Sequence, residues 1–132
     1  MSTIQRLLPP DVFKAIDDSS EALLIDVRDP VEFRFVGHPI GAINVPWAFA
    51  PDMRTNPSFV EQILLLAPSY DTPLFLLCRS GQRSLLAAKA LEEAGYQKLT
   101  NIEEGFEGSL DASKHRSTLN GWRFHGLPWE QT

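Results

Sequence analysis

Apolar residues along the chain form short runs that are continuous rather than alternating. Continuous runs of this length are typical of strands buried on both faces, whereas alternation marks strands with one face in water. Three runs have this character, at residues 22–27, 43–45 and 74–78. A further short strand is predicted over residues 98–102, and an N-terminal edge strand over residues 4–8.

Helix signals lie between the predicted strands. Residues 10–16 begin with a proline that suits a first helical turn and carry apolar residues at helical spacing. Residues 29–32 supply a cap, a first-turn proline and an acidic third helical residue. They predict a short helix that runs through Phe35 and ends at Gly37.

Two further helices are predicted later in the chain. Ser58 and Glu61 form a capping box ahead of an amphipathic helix that Pro68 terminates. The clearest helix covers residues 84–94, and Gly95 suits the left-handed position after its end. One face of this helix has the i, i+3, i+4, i+7 spacing and consists of Ser84, Ala87, Ala88 and Leu91.

The order of the predicted elements indicates the fold class. Strands and helices alternate with short connections, which is the pattern of an α/β domain with a mostly parallel sheet. A chain of 132 residues suits one hydrophobic core, so residues 1–132 are interpreted as one domain. Residues 105–132 are predicted to form an irregular tail whose aromatic rings dock on the body, with core packing preferred to a role in binding substrate.

Composition and charge exclude several classes of protein. The chain is 43% hydrophobic and 22% charged, which is ordinary for a soluble domain and excludes disordered or fibrous classes. Twelve basic residues against seventeen acidic ones give a net charge of −5, so no overall field attracts nucleic acid or an anionic membrane. No segment has the pattern of a signal peptide or a membrane span, and we therefore expect a cytoplasmic protein.

Cys78 is the only cysteine of the chain. A single cysteine excludes an intrachain disulfide, a Cys-x-x-Cys redox pair and a multi-cysteine zinc site. The three histidines, His38, His115 and His125, show no ligand spacing. The sequence therefore predicts neither a metal nor a cofactor.

The stretch after Cys78 combines a strand end, a polar loop and the start of a helix. In a parallel α/β sheet, ligands bind outside the carboxyl ends of the strands, where helix N-termini present free N–H groups. Loop amides, with a glycine that allows close approach, predict a cradle for an anion. Together with two arginines they favour the thiolate over the thiol, and so predict a nucleophile at Cys78. The candidate anion-binding residues are Arg79, Ser80, Gly81, Gln82 and Arg83.

Cys78 and the two arginines can also be interpreted without a function. Cys78 could be one more small apolar residue at the end of a buried strand, and the two arginines could be solvated surface charges. The density of polar and basic residues directly after Cys78 favours the functional interpretation.

Four segments of the chain match the signatures of one known family. They read LIDVR at residues 24–28 with a following Glu-Phe pair, GHPIGAINVP at 37–46, CRSGQR at 78–83 and NIEEG at 101–105. In combination they resemble the single-domain rhodaneses, which are sulfurtransferases. The resemblance implies a three-layer fold, with a mostly parallel central sheet wrapped by helices on both faces.

The resemblance also implies a chemistry for Cys78. The thiolate would accept a sulfane sulfur from a small anionic donor such as thiosulfate and hold it as a persulfide. It would then pass the sulfur to cyanide, a thiol or a partner protein. Because the chain has no second cysteine, the persulfide cannot collapse to an internal disulfide, so its release needs an external acceptor.

The chain departs from the family pattern in two places. Pro39 and Ile40 stand in the opposite order to the usual one, and residues 105–108 replace a pair of glycines. Neither departure is expected to touch the Cys78 loop.

Several residues around the loop are given supporting roles. Asp26 and Arg28 follow a neighbouring strand and could brace the loop by hydrogen bonds, although a structural pairing of the two is preferred, because a buried carboxylate needs a partner. Ser84, at the start of the helix, is a third candidate for loop support. Glu103 and Glu104 are interpreted as a solvated turn.

Two other functions remain open. A carrier that holds sulfur for a partner protein without turnover needs the same persulfide site. A cysteine phosphatase or an arsenate reductase is less favoured, because four residues separate Cys78 from Arg83, one fewer than in the phosphatase loop.

Overall fold

The computed structural model describes residues 4–132. In chain order the elements are β1 (Gln5–Leu7), α1 (Pro9–Asp17), β2 (Leu23–Asp26), a π-helical turn (Glu32–Val36), β3 (His38–Pro39), β4 (Ile43–Asn44), β5 (Ala48–Phe49), β6 (Arg54–Thr55), α2 (Phe59–Leu66), β7 (Leu74–Leu77), α3 (Gln82–Ala94), β8 (Leu99–Ile102) and β9 (Trp129–Glu130).

A five-stranded sheet organises the fold. Its strand order is β1-β8-β7-β2-β4, and all four pairings are parallel. The carboxyl ends of its strands therefore meet at one edge, with β7 in the centre. Two small antiparallel pairs, β3 with β9 and β5 with β6, lie outside this sheet.

Helices cover both faces of the sheet. Successive side chains of a strand point to opposite faces, so neighbouring residues enter different parts of the core. On one face, Ile25 and Leu76 pack in one apolar cluster with residues of α2 and α3. On the other face, Leu24 and Leu77 pack with α1 and with Phe106 and Trp122 of the C-terminal segment. The predicted three-layer α/β fold is confirmed.

Two sequence expectations need correction. Residues 43–45 are not a fully buried strand, because β4 lies at the edge of the sheet and Ile43 and Asn44 are only half-buried. The capping box is also wrong, because the side chain of Ser58 makes no cap hydrogen bond at the start of α2. Instead the Ser58 amide donates to Asn56 Oδ1 at 3.0 Å.

The C-terminal segment divides into buried and exposed aromatic rings. Phe106 and Trp122 are buried, and the Trp122 ring packs edge-on against Phe13 of α1. Phe124 and Trp129 remain partly exposed. Pairing of β9 with β3 ties the C-terminal segment to the short strand that follows Gly37. Within residues 4–132, no helix has the length and apolar character needed to cross a membrane.

Candidate active site

Cys78 lies directly after β7, at the carboxyl edge of the sheet. Residues 79–81 form a short loop, and α3 begins at Gln82. Because β7 is flanked by β8 and β2, the carboxyl ends of both neighbouring strands lie beside this loop. The continuous apolar run of β7 thus places the thiol between the sheet and the first turn of α3.

Two polar groups contact the sulfur. The Gly81 amide donates to Cys78 Sγ at 3.1 Å, and Ser84 Oγ lies 3.2 Å from the same atom. Gly81 has a φ of +108°, a left-handed conformation that turns its N–H towards the sulfur and that other residues rarely adopt. Among the amides of residues 79–83, that of Gly81 donates to the sulfur, and the cradle for an anion stays a prediction.

The sulfur is buried. Cys78 is 1% exposed and belongs to the same apolar cluster as Ile25, Val27, Ala87 and Ala88. The sulfur is therefore almost closed to solvent. Burial of this degree agrees with the interpretation of Cys78 as a small apolar core residue, but the two polar contacts do not.

A polar network continues from Ser84 into strand β8. Ser84 donates its hydroxyl proton to Asn101 Oδ1, and Asn101 Nδ2 donates to the Gly81 carbonyl at 3.2 Å and to Glu103 Oε2 at 2.6 Å. Glu103 also pairs with Arg6 at 2.9 Å. Asn101 is completely buried and contacts both residues that touch the sulfur. Asn101 was not predicted as a site residue from the sequence; the available signal was an amide in a short buried strand.

Residues 105–108 hold the loop from the other side. Phe106 N–H donates to the Cys78 carbonyl at 2.8 Å, and two more amides of this turn donate to the Arg79 carbonyl. A Cβ on Gly105 would lie 2.5 Å from the Arg79 backbone and 2.6 Å from the Cys78 carbonyl oxygen. The expectation that this departure from the family pattern does not touch the loop is therefore wrong.

The two loop arginines differ in their surroundings. Arg83 forms a bidentate ion pair with Glu32 of the π-helical turn, at 2.7 and 3.0 Å. The side chain of Arg79 is exposed and, among the described residues, has no hydrogen-bond or ion-pair partner. Ser80 is half-buried, and Gln82 is exposed at the start of α3.

The Arg83–Glu32 pair shifts the pKa of both groups. Burial raises the pKa of Glu32, but the hydrogen bond and charge of Arg83 outweigh it and hold that pKa below its ordinary value. Burial lowers the pKa of Arg83, yet Glu32 raises it further, with additional contributions from Cys78 and Asp26. Both groups are therefore charged at neutral pH.

Asp26 and Arg28 form a buried pair at the end of β2. Both side chains are fully buried, and Arg28 Nη2 lies 2.6 Å from Asp26 Oδ2 and donates to the Gly37 carbonyl. The preferred interpretation, a structural pairing, agrees with this geometry. The alternative does not, because no side-chain hydrogen bond of either residue reaches the Cys78 loop. Arg28 Nη1 has no hydrogen-bond partner, and the guanidinium lies 4.7 Å from the Phe106 ring centroid.

Glu103 and Glu104 lie in a turn, as predicted, but their side chains are half-buried and hydrogen-bonded and not simply solvated. Glu103 belongs to the Asn101 network, and Glu104 accepts hydrogen bonds from Gly121 N–H and from the His125 ring. His38 stacks on Phe33, with ring centroids 3.7 Å apart. In the part of the chain that the structure describes, no group of His, Cys, Asp and Glu side chains could hold a metal.

Two surface cavities lie at the opposite edge of the sheet. They have volumes of about 270 and 550 Å³ and are lined by residues at the amino ends of the strands, such as Leu23, Pro73 and Lys98. No residue of the Cys78 loop lines either cavity. We therefore place the candidate site at the cysteine and not at these cavities.

Residues 9–112 match the family profile described as the rhodanese-like domain. The chain belongs to the rhodanese-like family. This rhodanese-like chain is 30% identical over 128 residues to "Uncharacterized protein RP600" of Rickettsia prowazekii, covering 96% of this chain and 98% of that protein. It is 35% identical over 106 residues to thiosulfate sulfurtransferase 16, chloroplastic, of Arabidopsis thaliana, covering 79% and 76% of the two proteins.

A solved structure supports the same assignment of this rhodanese-like chain. The crystal structure of Rv0390 from M. tuberculosis superposes with a TM-score of 0.87 at 38% identity, covering 99% of this chain and all of that one. The resemblance stated from the sequence signatures and the fold that it implied are confirmed. Sulfurtransferases are among the relatives of this chain.

Proposed function

We propose that this protein is a sulfurtransferase that moves a sulfane sulfur through a Cys78 persulfide. The donor is thiosulfate or a related sulfur compound, and the acceptor is cyanide, a thiol or a partner protein. The observation that carries the proposal is the position of Cys78 in a rhodanese-like domain. Its Sγ lies after the central strand and accepts the Gly81 N–H at 3.1 Å.

The reaction with thiosulfate balances without a further reagent. The Cys78 thiolate attacks the outer sulfur, an S–S bond forms, and the S–S bond of thiosulfate breaks as sulfite leaves with the electron pair. Cys78 then carries a terminal sulfur with one negative charge. A hydrogen bond from a fixed amide stabilises a buried anion without reorganisation, which is the role proposed for Gly81.

Burial of the sulfur sets a condition for this chemistry. Because Cys78 is 1% exposed, we propose that the loop of residues 79–81 moves before a donor reaches Sγ. The persulfide adds an atom to the side chain, so its outer sulfur is expected to extend towards that loop. A second thiol is absent from the chain, and the outer sulfur must leave to an external acceptor.

Intact mass spectrometry tests the proposal. Wild-type protein incubated with thiosulfate is expected to gain the mass of one sulfur atom, and cyanide is expected to remove it. The Cys78→Ser variant should gain nothing under the same conditions. A gain that persists in Cys78→Ser would place the sulfur elsewhere and overturn the proposal.

Turnover distinguishes the enzyme from the alternatives. Steady formation of thiocyanate from thiosulfate and cyanide identifies an enzyme, whereas one loaded sulfur per chain without turnover identifies a carrier. Release of phosphate from an aryl phosphate would identify a phosphatase. That reaction is less favoured, because Arg83 is held by Glu32 and the loop is one residue shorter than the phosphatase loop.

A further inference from the structure

The charge around the Cys78 loop is lower than the sequence of the loop implies. Arg79 and Arg83 both lie within five positions of Cys78, but the Arg83 guanidinium is already bound by the Glu32 carboxylate. Two opposite charges in contact largely cancel each other's field at longer distances. An approaching anion therefore meets one unpaired guanidinium, that of Arg79, instead of two.

The Arg83–Glu32 contact is held on both sides. Arg83 belongs to the first turn of α3, and Glu32 begins the π-helical turn, which Asp29 anchors through hydrogen bonds from Val31 N–H and Ala50 N–H. Two guanidinium N–H groups point at the two carboxylate oxygens, the strong bidentate geometry of arginine with a carboxylate. The two side chains are only 17% and 23% exposed, so water screens the pair incompletely.

We propose that Glu32 is a specificity-determining residue that disfavours dianionic sulfur donors at Cys78 and favours donors with a single charge, such as a small-molecule persulfide. A dianion such as thiosulfate gains little from Arg83 while Glu32 occupies its guanidinium. A persulfide brings at most one negative charge, reacts in its protonated form R–S–SH, and releases R–S⁻, which carries less charge than sulfite. The inference rests on the proposed persulfide chemistry of Cys78.

The transfer from a persulfide also balances. The Cys78 thiolate attacks the outer sulfur of R–S–SH, the S–S bond of the donor breaks, and R–S⁻ leaves with the electron pair. The product on the protein is Cys78–S–SH. No oxidant or reductant is needed, because one S–S bond replaces another.

Sulfur loading of Cys78 from two donors tests the inference. The second-order rate constants for loading by thiosulfate and by the persulfide of 2-mercaptoethanol are measured by intact mass on quenched samples. The Glu32→Gln variant keeps the size of the side chain but removes its charge. It is expected to raise the ratio of the thiosulfate to the persulfide rate constant roughly tenfold at low salt, the scale of one charge-assisted hydrogen bond. High salt should shrink the gain.

A matched variant controls for net charge. Glu93 is exposed in α3, ten positions after Arg83, so Glu93→Gln makes the same charge change about 15 Å away along the helix. Its donor ratio is expected to equal that of the wild type. An unchanged ratio in Glu32→Gln, or an equal change in Glu93→Gln, would overturn the inference.

A second variant keeps the test decisive if Glu32→Gln does not fold. Arg83→Gln exposes the Glu32 charge, and the donor ratio is then expected to fall below that of the wild type. A ratio that stays unchanged in this variant contradicts the inference. If the wild type takes up sulfur from neither donor, the proposed function itself fails. If it takes up sulfur but the donor ratio does not change in the variants, only the inference about Glu32 fails.

Discussion

Ser84 Oγ lies 3.2 Å from Cys78 Sγ while its proton is donated to Asn101 Oδ1. A serine hydroxyl has one proton, so in this arrangement the oxygen presents a lone pair to the sulfur and suits a protonated thiol. When Cys78 is a thiolate, the hydroxyl must turn from Asn101 to the sulfur in order to donate. Ser84 Oγ is therefore shared between Cys78 Sγ and Asn101 Oδ1.

This relationship predicts the effect of Ser84→Ala. Removal of the hydroxyl leaves Asn101 Oδ1 buried without its donor, which costs about 1–3 kcal/mol in the free energy of unfolding. The loss of a donor to the thiolate should also slow sulfur loading of Cys78. Urea denaturation and loading kinetics measure the two effects. Ser80→Ala, in the loop before α3, is the control, and equal effects in both variants would contradict a special role for Ser84.

Gly81→Ala tests the amide that contacts the sulfur. Space is available, since the nearest atom to an added Cβ lies at 3.7 Å, but a φ of +108° strains any other residue by about 1–2 kcal/mol. Relief of this strain should rotate the N–H away from Sγ and slow sulfur loading. Gly126→Ala is the matched control, because Gly126 also has a positive φ and open space around it. The Gly126→Ala variant should lose stability without slower sulfur loading of Cys78. Equally slow loading in both variants would contradict the prediction.

Gly105→Ala tests the turn that holds the loop. The added Cβ would overlap the backbone of Cys78 and Arg79, which cannot move aside as a flexible side chain can. We expect destabilisation by about 1–3 kcal/mol, typical of overpacking, and faster alkylation of the buried Cys78 as the loop opens. Gly41→Ala, at a positive φ with no atom within 4 Å, separates backbone strain from the clash. Alkylation of Cys78 as slow as in the wild type would contradict the proposal that the turn at residues 105–108 holds the loop in place.

Arg83→Ala is expected to weaken loading by thiosulfate more at low than at high ionic strength. The substitution removes a positive charge and leaves Glu32 unpaired, and salt screens both effects. Loading rate constants at two salt concentrations measure the difference. Lys89→Ala, an exposed position of α3, gives the same change in net charge. An equal loss at both salt concentrations would mean that Arg83 acts through structure alone.

The Arg83–Glu32 pair also predicts a pH dependence of stability. Because the pKa of Glu32 is lowered in the folded protein, the pair stabilises the fold above the ordinary value of 4.5 and loses this contribution as the pH falls through the lower folded pKa. The difference in unfolding free energy between wild type and Glu32→Gln should therefore be largest near neutral pH and shrink well below pH 4.5. A difference that grows on acidification would reverse the assigned sign.

The sequence by itself determined the sheet, the principal helices and the position of Cys78. The continuous apolar run of β7, the helical face of α3 and the polar stretch between them are local patterns, and such patterns predict local structure because strand and helix periods are short. The family signatures added the arrangement of these elements in a three-layer fold.

Only the tertiary structure decided what surrounds the sulfur. Glu32 reaches Arg83 across 51 positions, and Asn101 reaches Ser84 across 17, because the strand order sets β2 and β8 on either side of β7. The burial of Cys78 depends on the same arrangement. The position of a charge or an amide in the sequence does not identify its distant partner, because the packing of the elements selects that partner.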